Sequence, residues 1–134
     1  MTTTTTMTPT KPKVLIADDE PNIVISLEYL MKREGYQVLV ARDGEQALSM
    51  IRAERPALVL LDVMMPGRSG FEVCQSVRTD EAFAGMKIML LTAKGRDTDV
   101  AQGMALGADA YMTKPFSTRE LAARVRELLG KDGA

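Results

Sequence analysis

Histidine is missing from this chain of 134 residues, and cysteine occurs once, at Cys74. Without histidine there is no imidazole base for a serine or cysteine nucleophile, and no imidazole ligand for a metal. One cysteine closes no internal disulfide, so a reducing cytoplasm is the expected compartment. Charge of one sign is also lacking. A formal net charge of −1 sets up no basic field, and nucleic acid is not expected as a direct partner. No apolar run approaches the ~20 residues needed to cross a bilayer, so no membrane association is expected. The first residues carry neither the charged nor the apolar region of a secretory signal. What remains for chemistry is carboxylate, lysine and hydroxyl, with or without a bound metal.

What is present is a regular alternation. Residues 1–12 are mostly Thr, Pro and Lys, too poor in apolar surface to offset ordering, and are expected to form a flexible tail. Residues 13–130 read as one domain, followed by a short tail at 131–134. Val14, Leu15, Ile16 and Ala17 make a continuous apolar run, as in a strand covered on both faces. Pro21 suits the first turn of a helix that carries Ile23, Leu27, Leu30 and Met31 at helical spacing and stops at Gly35. Residues 36–41 read as a second strand. Asp43 caps a helix to about Glu54, with Gln46 placed for a capping box. Residues 57–61 form a third strand ending at Asp62, and a turn with Pro66, Gly67 and Gly70 leads into a helix through Phe71, Cys74 and Val77.

The fourth strand covers residues 86–91 and ends at Thr92; a helix from about Asp97 to Leu106 follows, then a fifth strand at 109–113. Ser117 and Glu120 stand at capping-box spacing ahead of a last helix with Leu121, Val125, Leu128 and Leu129 on one face. Five strands alternating with five helices predict an α/β domain, a doubly wound parallel sheet with helices on both sides.

In such sheets, sites form beyond the carboxyl ends of the strands. That rule collects Asp18 and Asp19 after the first strand, Asp62 after the third, Thr92 after the fourth and Lys114 after the fifth. Singly, each is ordinary: acids before a helix, a turn residue, a strand end, a solvated lysine. Together they place three carboxylates, a hydroxyl and an ammonium at one rim. Crowded carboxylates repel, and one takes up a proton unless a cation balances them. Mg²⁺, which binds through few carboxylates and keeps open positions, is the economical cation. Lys114 by charge and Thr92 by hydrogen bond would then hold a dianionic group on a carboxylate. Cys74 reads as packing. Arg119, Glu120, Arg124, Arg126 and Glu127 read as a solvated helix face, with Glu120 and Arg124 spaced to pair.

The stretches KVLIADDEP, LVLLDVMMPGRSGFE, IMLLTAKG and GADAYMTKPF resemble the four signature segments of response-regulator receiver domains, over about residues 13–130. The resemblance implies the flavodoxin-like strand order 2-1-3-4-5. It makes Asp62 the phosphoacceptor, Asp18 and Asp19 the acidic pair serving Mg²⁺, and the Met64 backbone carbonyl a further ligand beside Asp62. Thr92 becomes the switch hydroxyl, Lys114 the phosphate-binding lysine, Tyr111 the aromatic that moves with Thr92, and Lys114–Pro115 a cis bond. The implied partners are a sensor histidine kinase or histidine phosphotransfer protein and an unknown output protein. They would meet a phosphoprotein of two-component signalling that is not itself a turnover enzyme.

The resemblance also bears on competing readings. The last helix is similar to those of receivers that precede winged-helix DNA-binding domains, but the chain ends soon after it, and a stand-alone receiver is expected. Val100 and Ala110 stand where dimerising receivers offer charges, so a monomer is expected. A flavodoxin needs a hydroxyl- and glycine-rich loop where this chain has ADDEP. A haloacid-dehalogenase-type phosphatase has a second Asp where this chain has Met64.

Overall fold

The computed structural model describes residues 11–130. The expected tails lie outside the described residues except for Lys11 and Pro12. Pro12 already belongs to the sheet edge, since its carbonyl accepts the Gln37 N–H at 2.9 Å. The sheet contains β1 (Lys13–Ala17), β2 (Gln37–Ala41), β3 (Leu58–Asp62), β4 (Lys87–Ala93) and β5 (Ala110–Lys114). Between and after them run α1 (Pro21–Arg33), α2 (Gly44–Glu54), α3 (Gly70–Arg78), α4 (Asp97–Ala105) and α5 (Thr118–Leu128). All four strand pairings are parallel, in the order β2-β1-β3-β4-β5. This is the doubly wound, flavodoxin-like sheet.

The continuous apolar runs have a direct cause. Successive side chains of a strand point to opposite faces, so a strand covered on both sides must be apolar at every position. Leu15, Val59, Leu61, Ile88 and Leu90 face one core with Leu48 and Ile51 of α2 and Val73, Cys74 and Val77 of α3. Val14, Ile16, Leu58, Leu60, Met89 and Leu91 face the other, with Val24 and Leu27 of α1 and Leu121 and Val125 of α5. Cys74 is fully buried, and that burial raises its thiol pKa, which suits packing and not reactivity.

Local signals are less faithful than the layers. The Asp43 carboxylate accepts the Gln46 N–H at 2.8 Å, but the Gln46 amide turns back to the Arg42 N–H, one residue before the cap. At Ser117 only the hydroxyl half of the expected box forms, accepting from the Glu120 N–H at 3.2 Å. The complete box is at α3, where Ser69 and Glu72 each accept the other's N–H. Glu120 and Arg124 do not pair; Arg124 lies 3.7 Å from Glu127, and Arg126 reaches Glu34, just past the end of α1, at 2.6 Å. Strand β4 runs on through Ala93, and a short 3₁₀ turn at Glu81–Phe83 precedes it.

One glycine controls the end of β3. A Cβ on Gly70 would stand 2.5 Å from the Asp62 carbonyl oxygen and 2.9 Å from the Val63 Cα. Both are backbone atoms and cannot rotate away. Gly70→Ala is expected to destabilise the fold by about 2–3 kcal/mol and to displace the backbone at Asp62. Urea unfolding and the Val63 amide resonance measure the two effects; an unchanged midpoint would refute the clash.

Candidate functional site

The strand order decides what meets. β1 and β3 are neighbours, but the chain leaves β1 towards β2 on one side and reaches β3 on the other, so their carboxyl ends flank a crevice. Asp18 follows β1 and Asp62 closes β3 there. Both are buried, with 0% of Asp18 and 5% of Asp62 exposed, although carboxylates are seldom buried without partners. Each is oriented by a short backbone loop: Asp18 Oδ1 accepts the Glu20 N–H at 2.9 Å, and Asp62 Oδ1 accepts the Met64 N–H at 3.1 Å.

Lys114 comes from the end of β5, two strands from β3, and reaches across the end of β4. Its ammonium lies 2.9 Å from Asp18 Oδ2, 2.8 Å from Glu20 Oε1 and 3.6 Å from Asp62 Oδ1. The Lys114–Pro115 bond is cis. Thr92 is buried near the end of β4, one position beyond the residue paired with Asp62, and its hydroxyl has no hydrogen-bond partner among the described residues. Tyr111, on β5, is exposed and borders a groove of about 330 Å³ with Phe116, Glu120 and Arg124.

The charges reflect the crowding. Burial first, then the Asp18 charge, pushes the Asp62 carboxyl up from 3.8 to about 6, against the pull of Lys114 and the Met64 N–H. Burial works to lower the Lys114 pKa, but its contacts with Glu20 and Asp18 and the charge of Asp62 outweigh that and push it up to about 12. The site is therefore short of positive charge even with Lys114 in place.

Asp18, Glu20 and Asp62 bring one carboxylate oxygen each within 4.8 Å of one another. Three hard oxygen donors with no nitrogen or sulfur suit a small hard divalent cation. Asp19 stands outside this trio, exposed to solvent, and adds the smallest of the charges raising Asp62. Sequence reasoning misses Glu20. The signal is there in ADDEP, but a glutamate ahead of Pro21 looks like a solvated residue until Lys114 is brought to it across 94 positions.

The comparisons agree with this architecture. Residues 14–126 match the response regulator receiver domain family. A response regulator structure from Chloroflexus aurantiacus J-10-fl is 34% identical, with 90% of this chain and 99% of that one covered and a TM-score of 0.87. The chemotaxis response regulator CheY4 of Vibrio cholerae is 30% identical over 89% of this chain and 99% of its own, with a TM-score of 0.83. A signal receiver domain of a signal transduction histidine kinase from Syntrophus aciditrophicus is 30% identical over 90% and 91%, also at 0.83. No helix among the described residues is long and apolar enough to cross a membrane. A family match that takes in all of the sheet but Lys13 and all of α5 but its last two residues leaves one conclusion: this chain belongs to the response regulator receiver domain family.

Proposed function

We propose that Asp62 accepts a phosphoryl group from a sensor histidine kinase or a histidine phosphotransfer protein, and that the chain then changes its binding to an output protein. The observation that carries this is the meeting of a buried, oriented Asp62 with a lysine and an unpartnered buried hydroxyl, Thr92. An Asp62 carboxylate oxygen would form the new O–P bond as the donor's P–N bond breaks, and the donor imidazole takes up a proton. Lys114 supplies a charge-assisted contact to the phosphoryl oxygens, and the Thr92 hydroxyl donates to another.

Asp18, Asp19, Asp62 and the Met64 carbonyl would hold Mg²⁺, with Glu20 beside them on Lys114. Bound there, Mg²⁺ offsets the carboxylate charge and draws charge off the transferring phosphoryl group. On α1, which begins just after Glu20, the exposed Ile25 and Tyr29 lie one turn apart, a surface suited to a helical phosphodonor. The chain acts as a phosphoprotein switch in the cytoplasm, not as a turnover enzyme. The test is intact mass spectrometry after incubation with Mg²⁺ and acetyl phosphate: one added phosphoryl group is expected, and none with chelator present.

The output face is α4, β5 and α5. Thr92 drawn to the phosphoryl group vacates space that the Tyr111 ring can enter, which biases two packings of one surface. Thr92→Ala is expected to keep Asp62 phosphorylation while abolishing the Tyr111 resonance shift that beryllofluoride induces in the wild type. A normal Tyr111 response in that variant would sink the coupling. The same face is expected to stay monomeric. Ala110 is buried and Arg124 already contacts Glu127 on its own helix, so complementary charges for a second copy are wanting. Sedimentation of the beryllofluoride-treated protein at micromolar concentration is expected to give monomer mass; a dimer abolished by Arg124→Glu would contradict it.

A further inference from the structure

We infer that Glu20 is a positioning residue: it holds the Lys114 ammonium in the unmodified protein and competes with the phosphoryl group for it. This rests on the reading of Asp62 as the acceptor. Glu20 occupies the cap position of α1, where Ser, Thr, Asp or Asn would satisfy a helix N–H, and its side chain makes no cap bond. Pro21 at the first helical position biases the preceding residue to extended backbone, and Glu20 has φ −87° and ψ 115°. Extended backbone is also found at Asp43, Ser69 and Ser117, which do cap their helices, whereas the Glu20 carboxylate lies 2.8 Å from Lys114 instead. The usual capping chemistry gives way at this position to an ion pair with the lysine of the site.

The three carboxylates around Lys114 are not equivalent. Asp18 is wholly buried and lies 2.9 Å away, a fixed anchor. Asp62 is farthest, at 3.6 Å. The Glu20 side chain is 59% exposed, so it keeps most of its hydration and the pair stabilises it little. A contact that is weak and wet is easily exchanged. Once Asp62 carries a dianionic phosphoryl group, Lys114 has a stronger partner nearby and leaves Glu20. Glu20 thus lowers the population of the active arrangement before modification and sets a threshold for the response.

The test measures beryllofluoride affinity by NMR at saturating Mg²⁺, so that any change in metal affinity drops out. Glu20→Gln removes the contact and the charge, whereas Glu20→Asp keeps the charge but is too short to reach. Both are expected to bind the mimic about two- to five-fold more tightly than wild type, the range of an exposed ion pair. In a Lys114→Ala background the tightening by Glu20→Asp should vanish, because the partner is gone. Wild-type affinity in Glu20→Asp, or an equal tightening with and without Lys114, would overturn the competition and leave only a general charge effect. Failure of wild type to take up beryllofluoride or acetyl phosphate would instead strike the acceptor reading itself.

Discussion

Asp62→Asn is expected to abolish phosphoryl uptake completely and, at the same time, to make the metal-free protein more stable at neutral pH. The first effect follows because an amide lacks the anionic oxygen that attacks phosphorus; intact mass spectrometry with Mg²⁺ and acetyl phosphate reads it directly. The second follows from the raised pKa. With a folded value of about 6 against 3.8 ordinarily, the fold binds the Asp62 proton more tightly than the unfolded chain does. Stability from that proton is fully present below pH 3.8 and is lost as pH rises through about 6. Above that, the ionised carboxylate costs the fold on the order of 1–3 kcal/mol. Asparagine carries no such charge and still offers an oxygen to the Met64 N–H. Thermal unfolding in chelator at pH 7.5 should therefore show Asp62→Asn melting several degrees higher, with the difference shrinking towards pH 4 and narrowing when Mg²⁺ is added. A variant that melts lower than wild type in chelator would contradict the charge balance drawn for the site.

Lys114→Ala is expected to have the opposite effect on stability and to silence the response. Among the described residues, Lys114 is the cation paired with Asp18, and Asp18 is wholly buried. Removing one member of a buried pair leaves the other charge uncompensated, which costs on the order of 2–4 kcal/mol here. A divalent cation can take over part of that balance, so millimolar Mg²⁺ should recover some of the lost melting temperature by mass action. Phosphorylation of Asp62 should persist at a reduced rate. The NMR shifts at Tyr111 on adding beryllofluoride should disappear, because the contact that distinguishes the modified state is gone. Equal stability of Lys114→Ala and wild type in chelator would mean that Asp18 is balanced by something other than this lysine.

Both substitutions fall on residues that strand-end placement alone brings forward. Apolar continuity in residues 14–17 and 57–61 identifies strands covered on both faces, and residues 86–91 read as a further strand between helical stretches. The ends of those strands then collect Asp18, Asp62 and Thr92, the fifth strand adds Lys114, and the resemblance of the signature segments implies their roles. Helix caps are less legible. Gln46 and Glu120 stand at the right spacing for reciprocal boxes, yet Gln46 bonds the Arg42 N–H and Glu120 gives no return bond, while Ser69 and Glu72 form the complete one. Spacing permits such a bond, but the approach of the chain to the helix decides whether it forms. For the same reason Glu120 and Arg124 have the right separation, yet Arg124 turns to Glu127.

By itself, then, the sequence determined the layers, the strand ends and the kinds of group at the rim, since these depend on periodicity and order along the chain. Only the tertiary structure decided which charges share a cation. Lys114 must cross the end of β4 to reach Asp18 and Glu20, so Glu20, and not Asp19, stands in the carboxylate trio. Likewise, the unpartnered Thr92 hydroxyl and the raised Asp62 pKa exist only once the sheet has excluded water from both. Desolvation and contacts between residues far apart in the chain arise from packing, and no local pattern carries them.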